Sequence, residues 1–267
     1  MALIRVDHVE KSFATRHGSI TIMQDIAFEV RDSDFVAIVG PSGCGKSTLL
    51  RLIQGLDRPT GGEVYFRDQP VQGACTQMAM VFQSFALFPW LTVAQNVAFG
   101  LEAMGWEKAR IAAQVERFIS VTGLDGFQEA YPRELSGGMR QRVGLARALA
   151  VEPAVLLMDE PFSALDPLTA ESLREEVLQL WQEPGLPPDA VILVSHNIEE
   201  AIQLADRVIV LSRRPAHVLA DVTVDLPRPR DRKSAAFYDL TDKVYSLITE
   251  GGAPATTPPT TPGPSAS

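Results

Sequence analysis

The sequence is poor in cysteine, in positive charge and in long apolar stretches, and each deficit excludes a class of protein. Only two cysteines occur among 267 residues, which excludes a disulfide framework and favours a reducing compartment. The 24 Lys and Arg residues are outnumbered by 33 Asp and Glu residues, for a formal charge of -9. Such a surface repels a phosphate backbone, so we expect no nucleic-acid partner.

No stretch approaches the roughly 20 consecutive apolar residues that a membrane-spanning helix needs. Residues 1–7 lack a basic start followed by an apolar run, so we expect no secretory signal there. Apolar residues still make up 46% of the chain and charged residues 21%, which predicts a soluble chain with a sizeable buried core.

The apolar pattern changes along the chain and predicts an α/β fold. Residues 3–30 alternate in short runs, as antiparallel strands do. Continuous apolar runs at 35–39, 155–158 and 191–194 predict buried parallel strands, and residues 168–181 have helical periodicity. The alternation of strand and helix predicts a mostly parallel sheet covered by helices, with an N-terminal antiparallel β element.

Two further segments differ from this core. Residues from about 84 to 150 show helical periodicity with few strand signals, which predicts an inserted helical subdomain within a domain spanning residues 1–250. Residues 251–267 contain only Gly, Ala, Pro, Thr and Ser, which predicts a disordered Pro/Thr-rich tail.

Residues 40–47 match the phosphate-binding pattern G-x-x-x-x-G-K-[ST], between a predicted strand and a predicted helix. In such a P-loop the backbone N–H groups point at phosphate oxygens, and Lys46 reaches the β and γ phosphates. The Ser47 hydroxyl can ligate Mg²⁺, and the helix beginning near Lys46 adds its positive dipole end. The predicted phosphate-binding residues are Gly40, Pro41, Ser42, Gly43, Cys44, Gly45, Lys46, Ser47 and Thr48. We interpret Cys44 as a small space-filling residue.

Two acidic residues follow the apolar run at 155–158 and supply the second carboxylate site that a P-loop needs to complete Mg²⁺ and to position water. Asp159 leaves the strand at its carboxyl end, where ligands bind in open α/β sheets, and suits a metal role through a coordinated water. Glu160 is placed to orient or deprotonate an attacking water.

A second anion-binding helix N-terminus is predicted at residues 135–138. Ser136 is a plausible N-cap, and Gly137 and Gly138 leave free N–H groups at the start of a long helix. By itself, Ser-Gly-Gly is more typical of an ordinary capped helix after a turn.

Taken in order, the motifs resemble those of the ATP-binding subunit of ABC transporters, over about residues 2–248. They are residues 40–48, Gln83, residues 135–139, residues 155–160, residues 163–166 and His196. The resemblance implies a P-loop NTPase fold that binds ATP and Mg²⁺ as a homodimer. Two ATP molecules would be sandwiched, each between the P-loop of one copy and the signature of the other, where the signature comprises Leu135, Ser136, Gly137 and Gly138.

The resemblance also implies roles for four residues that no local pattern would single out. Phe13 would stack on adenine, although an ordinary apolar strand residue is an alternative. Gln83 would reach Mg²⁺ and the attacking water and signal to the membrane partner. His196 would contact the γ phosphate, and Asp166 would communicate across the dimer.

Residues 84–93 and 226–232 resemble importers of nitrate, sulfonates and taurine. This implies a peripheral subunit at the cytoplasmic face of the inner membrane, acting on two permease subunits and indirectly on a periplasmic or lipid-anchored solute-binding protein. Residues 85–90 suit the docking of a short membrane-subunit helix, or else are simply buried. The alternatives are an ATPase for export or lipoprotein release, and a non-transport ABC ATPase.

Overall fold

The computed structural model describes residues 2–16, 18–185 and 188–250, and the predicted tail at 251–267 lies outside these described residues. The strands are β1 (Ala2–Thr15), β2 (Gly18–Arg31), β3 (Phe35–Val39), β4 (Gly61–Phe66), β5 (Gln69–Pro70), β6 (Met78–Val81), β7 (Val155–Asp159), β8 (Ala190–Val194), β9 (Arg207–Leu211) and β10 (Val218–Thr223). The helices are α1 (Lys46–Ile53), α2 (Val93–Ala103), α3 (Lys108–Val121), α4 (Gly137–Ala150), α5 (Pro167–Gln182), α6 (Ile198–Leu204) and α7 (Ala235–Glu250), with a 3-10 turn at Pro132–Glu134.

A six-stranded sheet in the order β10-β9-β3-β8-β7-β6 forms the centre of the fold. All neighbours pair in parallel except β10, which runs antiparallel to β9. Phe35 and Ala37 of β3 face one core with the helices, whereas Val36 and Ile38 face a second core. Both faces of the strand are therefore buried, which explains its continuous apolar sequence. The prediction of a mostly parallel sheet is confirmed.

The second core lies against a four-stranded sheet in the order β2-β1-β4-β5. Strands β1 and β2 pair antiparallel, which confirms the N-terminal antiparallel β element. Helix α1 contributes four fully buried residues to this core: Leu49, Leu50, Leu52 and Ile53. Burial of this helix fixes the loop that precedes it.

Helices α2, α3 and α4 lie in the chain between β6 and β7, two strands that are adjacent in the sheet. Thr92 begins α2 with a capping box, because its hydroxyl accepts from the Gln95 N–H (3.3 Å) while the Gln95 side chain accepts from the Thr92 N–H (2.9 Å). Helix α4 packs on α2 and α3 and also on β6 and α5. It therefore connects this helical segment with the sheet.

The arginine-rich segment at 226–232 anchors the chain to α6. Arg230 is buried, and its Nη1 donates to the carbonyls of Ile202 (2.6 Å) and Ala205 (2.5 Å) at the end of α6. Burial, together with the neighbouring charge of Arg228, lowers the pKa of Arg230 to about 10. The Arg230 side chain thus satisfies carbonyls that the end of a helix leaves without partners.

Candidate nucleotide-binding site

The loop of residues 40–48 joins β3 to α1 and wraps around its own lysine. Gly43 (φ 75°) and Gly45 (φ 115°) have left-handed backbone conformations, which favour glycine. A Cβ at Gly45 would lie 2.6 Å from Cγ2 of Ile22, so a larger residue is excluded there. The Lys46 ammonium donates to the carbonyls of Gly40 (2.9 Å) and Pro41 (3.3 Å) and is buried. The charge is thus held within the loop that the sequence identifies as phosphate-binding.

Ser47 and Asp159 form the oxygen pair that the sequence predicts for a divalent cation. The Ser47 hydroxyl donates to Oδ1 of Asp159 at 2.8 Å, although the two residues are far apart in the chain. Burial raises the pKa of Asp159; the Ser47 hydrogen bond and the charge of Lys46 oppose this effect, and the charge of Glu160 adds to it. A hydroxyl and a carboxylate are ligands that Mg²⁺ accepts.

Glu160 and His196 meet beside this pair. Nδ1 of His196 lies 3.0 Å from Oε2 of Glu160. Glu160 has a left-handed backbone (φ 46°), which is uncommon for a residue other than glycine and typical of functional sites. Its N–H donates to the Val194 carbonyl at 3.0 Å, so the end of β8 fixes the strained residue.

Gln83 is linked to Glu160 through Ser163. Nε2 of Gln83 donates to the Ser163 hydroxyl (3.0 Å), which donates to the backbone carbonyl of Glu160 (2.9 Å). Ser163 belongs to the motif at residues 163–166, but no sequence pattern predicts this link. This link connects Gln83 with the site, although Gln83 follows β6 and Glu160 follows β7.

The buried carboxyl group of Glu200 lies behind His196, and no sequence motif predicts it. The Ser195 hydroxyl makes a short hydrogen bond to Glu200, and Arg174 Nη1 lies 3.3 Å from the same carboxylate. Burial raises the pKa of Glu200, opposed by Ser195 and Arg174. In sequence, Glu200 is only an acidic residue in the first turn of a helix, where such residues are common. The fold reveals the contact, because it brings Arg174 of α5 to Glu200 of α6.

The signature and the P-loop border different hydrophobic cores. Ser136 caps α4 by accepting from the Met139 N–H (3.2 Å), as predicted. A Cβ at Gly138 would lie 2.4 Å from Thr169 Cγ2, so glycine is required. Leu135 is buried in the core with the helices, whereas Cys44 of the P-loop is buried in the opposite core. Among the described residues no hydrogen bond or ion pair connects 135–138 with 40–48.

Phe13 and Asp166 lie outside the Ser47–Asp159–Glu160–His196 group. The ring of Phe13 on β1 is 43% exposed, with Nζ of Lys11 at 4.8 Å from its centroid. The Asp166 carboxylate caps α5 by accepting from the Thr169 N–H (3.1 Å), which lowers the pKa of Asp166. Both side chains are accessible, but neither forms a hydrogen bond or ion pair with the P-loop in the described part of the chain.

Comparison with known proteins identifies the family. Residues 23–163 match the ABC transporter family, and the chain is 43% identical over 245 residues to an ABC transporter ATP-binding protein of Methanocaldococcus jannaschii, covering 92% of this chain and 91% of the relative. The chain belongs to the ABC transporter family. As an ABC ATPase it binds and hydrolyses ATP.

Two other ABC relatives are named as import proteins. Identity is 42% over 254 residues with the nitrate import ATP-binding protein NrtD of Synechocystis, covering 92% of this chain and 94% of the relative. Identity is 38% over 249 residues with the aliphatic sulfonates import ATP-binding protein SsuB of Bacillus cereus, with coverage of 93% and 97%.

Solved structures confirm the P-loop NTPase fold of this ABC ATPase. A dimeric ATP-binding cassette in a post-hydrolysis state with ADP and Pi superposes with a TM-score of 0.73 at 31% identity, covering 83% of this chain and 98% of that one. A second dimeric cassette gives the same values. In the described part of the chain, every helix is too short or too polar to cross a bilayer.

Proposed function

We propose that this chain is the ATP-hydrolysing subunit of an ABC importer for a small anionic solute such as nitrate, a sulfonate or taurine. The convergence of Ser47 with Asp159 and of Glu160 with His196 beside the P-loop supports ATP hydrolysis. Similarity to nitrate and sulfonate import proteins over more than nine-tenths of the chain supports import. Two alternatives would use the same ATP site: an export or lipoprotein-release ATPase, and a non-transport ABC ATPase. The names of the two relatives favour import over both.

In this proposal ATP binds as its Mg²⁺ complex. The loop of residues 40–48 holds the phosphates, and Phe13 provides an exposed ring for adenine. Ser47, Asp159 and Gln83 offer a hydroxyl, a carboxylate and an amide oxygen to the cation, a set of hard oxygen donors that fits Mg²⁺. When bound, Mg²⁺ supplies charge neutralisation for the phosphates.

Glu160 is the proposed general base. His196 engages Oε2 of the carboxylate, and among the described hydrogen bonds none engages Oε1. Oε1 is therefore available to accept the proton of an attacking water. His196 would orient the Glu160 carboxylate, and its exposed side chain would contact the γ phosphate. Gln83 would respond to movements of Glu160, because Ser163 links it to the Glu160 backbone.

A homodimer completes each ATP site in this proposal. The P-loop borders one core and the signature the other, and no described hydrogen bond joins the two, so the signature N–H groups would reach ATP held by a second copy. Asp166, at the exposed start of α5, would lie between the copies. ATP binding would close the dimer, and hydrolysis would reopen it as a ligand-controlled shift between two states.

The membrane partners would dock near Trp90. This ring is 70% exposed, next to Phe88, which packs on Phe99 with centroids 4.3 Å apart. We place the dimer on two permease subunits, as a peripheral complex at the cytoplasmic face of the inner membrane. A periplasmic or lipid-anchored solute-binding protein would act through those permeases.

The experiment that tests the transport proposal is uptake by cells of the source organism that lack this chain. Uptake of labelled nitrate, taurine and an alkanesulfonate is measured before and after complementation with wild type or Glu160→Gln. We expect one uptake activity to disappear on deletion and to return only with wild type. Normal uptake of all three solutes in the deletion strain would overturn the proposed solute class. Loss of export in that strain would favour the export alternative.

A further inference from the structure

Arg214 lies in the loop between β9 and β10 and contacts the P-loop. Its Nη2 donates to the backbone carbonyl of Gly43 at 2.5 Å. The two residues are 171 positions apart in sequence, so the contact depends on the fold. Neither the motifs nor the family comparison assigns a role to Arg214.

The loop that carries Arg214 is firmly anchored to the antiparallel sheet. Ala216 donates to the Ile22 carbonyl (2.9 Å) and accepts from the Gln24 N–H (2.8 Å). Within the loop, the Ser212 hydroxyl lies 2.9 Å from Nδ1 of His217. Because its ends are fixed in this way, the loop presents the guanidinium at a defined position beside Gly43.

The contact fixes the orientation of the peptide between Gly43 and Cys44. In a planar trans peptide the C=O and the N–H point in opposite directions. Arg214 binds the Gly43 carbonyl, while the Cys44 N–H on the other side points across the loop to the Pro41 carbonyl (3.2 Å). Gly43 has a positive φ of 75°, and glycine alone does little to oppose rotation of this peptide. Rotation would direct a carbonyl oxygen, rather than an N–H, at a phosphate.

We propose that Arg214 is a positioning residue for nucleotide binding, which holds the Gly43–Cys44 peptide with its N–H turned into the phosphate loop. The inference rests on the proposed ATP site and adds to it an ordered anion cradle maintained by a distant loop. Since the P-loop backbone cradles the phosphates that ATP and ADP share, the effect applies equally to both nucleotides.

The test measures ATP and ADP affinity of the purified full chain by calorimetry, together with steady-state ATPase kinetics. For Arg214→Ala we expect both affinities to fall by the same factor, about 3- to 10-fold, the net contribution of one typical hydrogen bond. KM for ATP should rise by that factor while kcat is unchanged, because no reacting group is touched. Arg214→Lys should recover part of the affinity, since it keeps a charged donor but lacks the planar fork.

Arg213→Ala is the matched control. Arg213 is also exposed, and none of the described hydrogen bonds or ion pairs uses its side chain. The substitution removes the same charge one position away, so we expect unchanged affinity. Equal weakening by Arg213→Ala, an unchanged affinity in Arg214→Ala, or a fall in kcat alone would each overturn the positioning role. If wild type binds neither nucleotide, the ATP site itself is wrong, which is a separate failure.

Discussion

Oε2 of Glu160 lies 3.0 Å from Nδ1 of His196, because each residue follows one of two neighbouring parallel strands. Asp159 at the end of β7 pairs with Val194 at the end of β8. The residues just beyond this pair therefore leave the sheet at the same edge. A carboxylate and an imidazole that are distant in sequence are thus brought together by sheet register alone.

Glu160→Gln should slow ATP hydrolysis by ~10²–10⁴-fold, the usual effect of losing a positioned base. ATP affinity should be retained, because the amide still accepts from His196 and no proposed phosphate ligand changes. Phosphate release measured at saturating ATP checks the rate, and calorimetry checks the binding. Glu175→Gln, at an exposed position on α5, is the control and should hydrolyse ATP normally. A wild-type rate in Glu160→Gln would show that Glu160 is not the base.

Asp159→Asn should raise the thermal stability of the nucleotide-free chain. Burial raises the pKa of Asp159 above its ordinary value, so the folded chain binds more protons than the unfolded chain in the window between the two pKa values. Stability then falls as pH rises through that window, and the deficit persists at neutral pH.

Melting curves from acid to neutral pH check this effect. The stabilisation by Asp159→Asn should be larger at neutral pH and should disappear in acid. Asp242→Asn, at an exposed position on α7, should show no such dependence. If Asp159→Asn instead destabilises the chain at neutral pH, the raised pKa of Asp159 is not a cost to folding.

Ser136→Arg should leave ATP binding by the single chain intact and abolish ATP-driven dimerisation, because its target phosphate belongs to the partner. Lys46→Ala should instead lose nucleotide affinity. In a mixture of the two variants, one composite site has an intact P-loop and an intact signature, so dimers should reappear. Size-exclusion chromatography with ATP measures this, and Ser136→Thr, which keeps a capping hydroxyl, serves as control. Equal loss of ATP binding in the two isolated variants would contradict a site shared between copies.

Trp90→Asp should separate the ATPase from its permease while basal hydrolysis continues. Burying an aromatic side chain in an interface contributes ~1.5–3 kcal/mol, and Trp90 is exposed in the chain alone. Phe88 is a poorer probe because it packs on Phe99. Co-purification with membrane subunits is the measurement, with Tyr238→Asp on α7, another exposed aromatic residue, as control. Normal co-purification of the Trp90 variant would exclude this docking position.

The parts of the fold that sequence predicts are those in which local pattern and burial agree. Strands β3, β7 and β8 are continuous apolar runs because both of their faces are covered. Strand order cannot be predicted in this way. No local pattern shows that β3 lies between β8 and β9, because strand order depends on contacts between distant segments.

The same limit applies to the site. Ser47 and Asp159 are predictable because each belongs to a phosphate-site motif, whereas Glu200 and Arg230 look like ordinary surface charges in sequence. Both are buried in the structure, Glu200 against Ser195 and Arg230 against the carbonyls at the end of α6. Such polar contacts depend on how the chain segments around α6 are arranged in the fold, which sequence periodicity does not encode.

The position of β3 also orders events during synthesis. Its hydrogen-bonding neighbours are β8 and β9, with Val36 opposite Ile192 on one side and Arg207 on the other. Until residues 190–211 have left the ribosome, the strand that leads into the P-loop has two open edges, which invite pairing with other chains. A chain interrupted before that point has its phosphate-binding sequence without the sheet that supports it. Nucleotide binding therefore requires a chain that extends at least through β9, to residue 211.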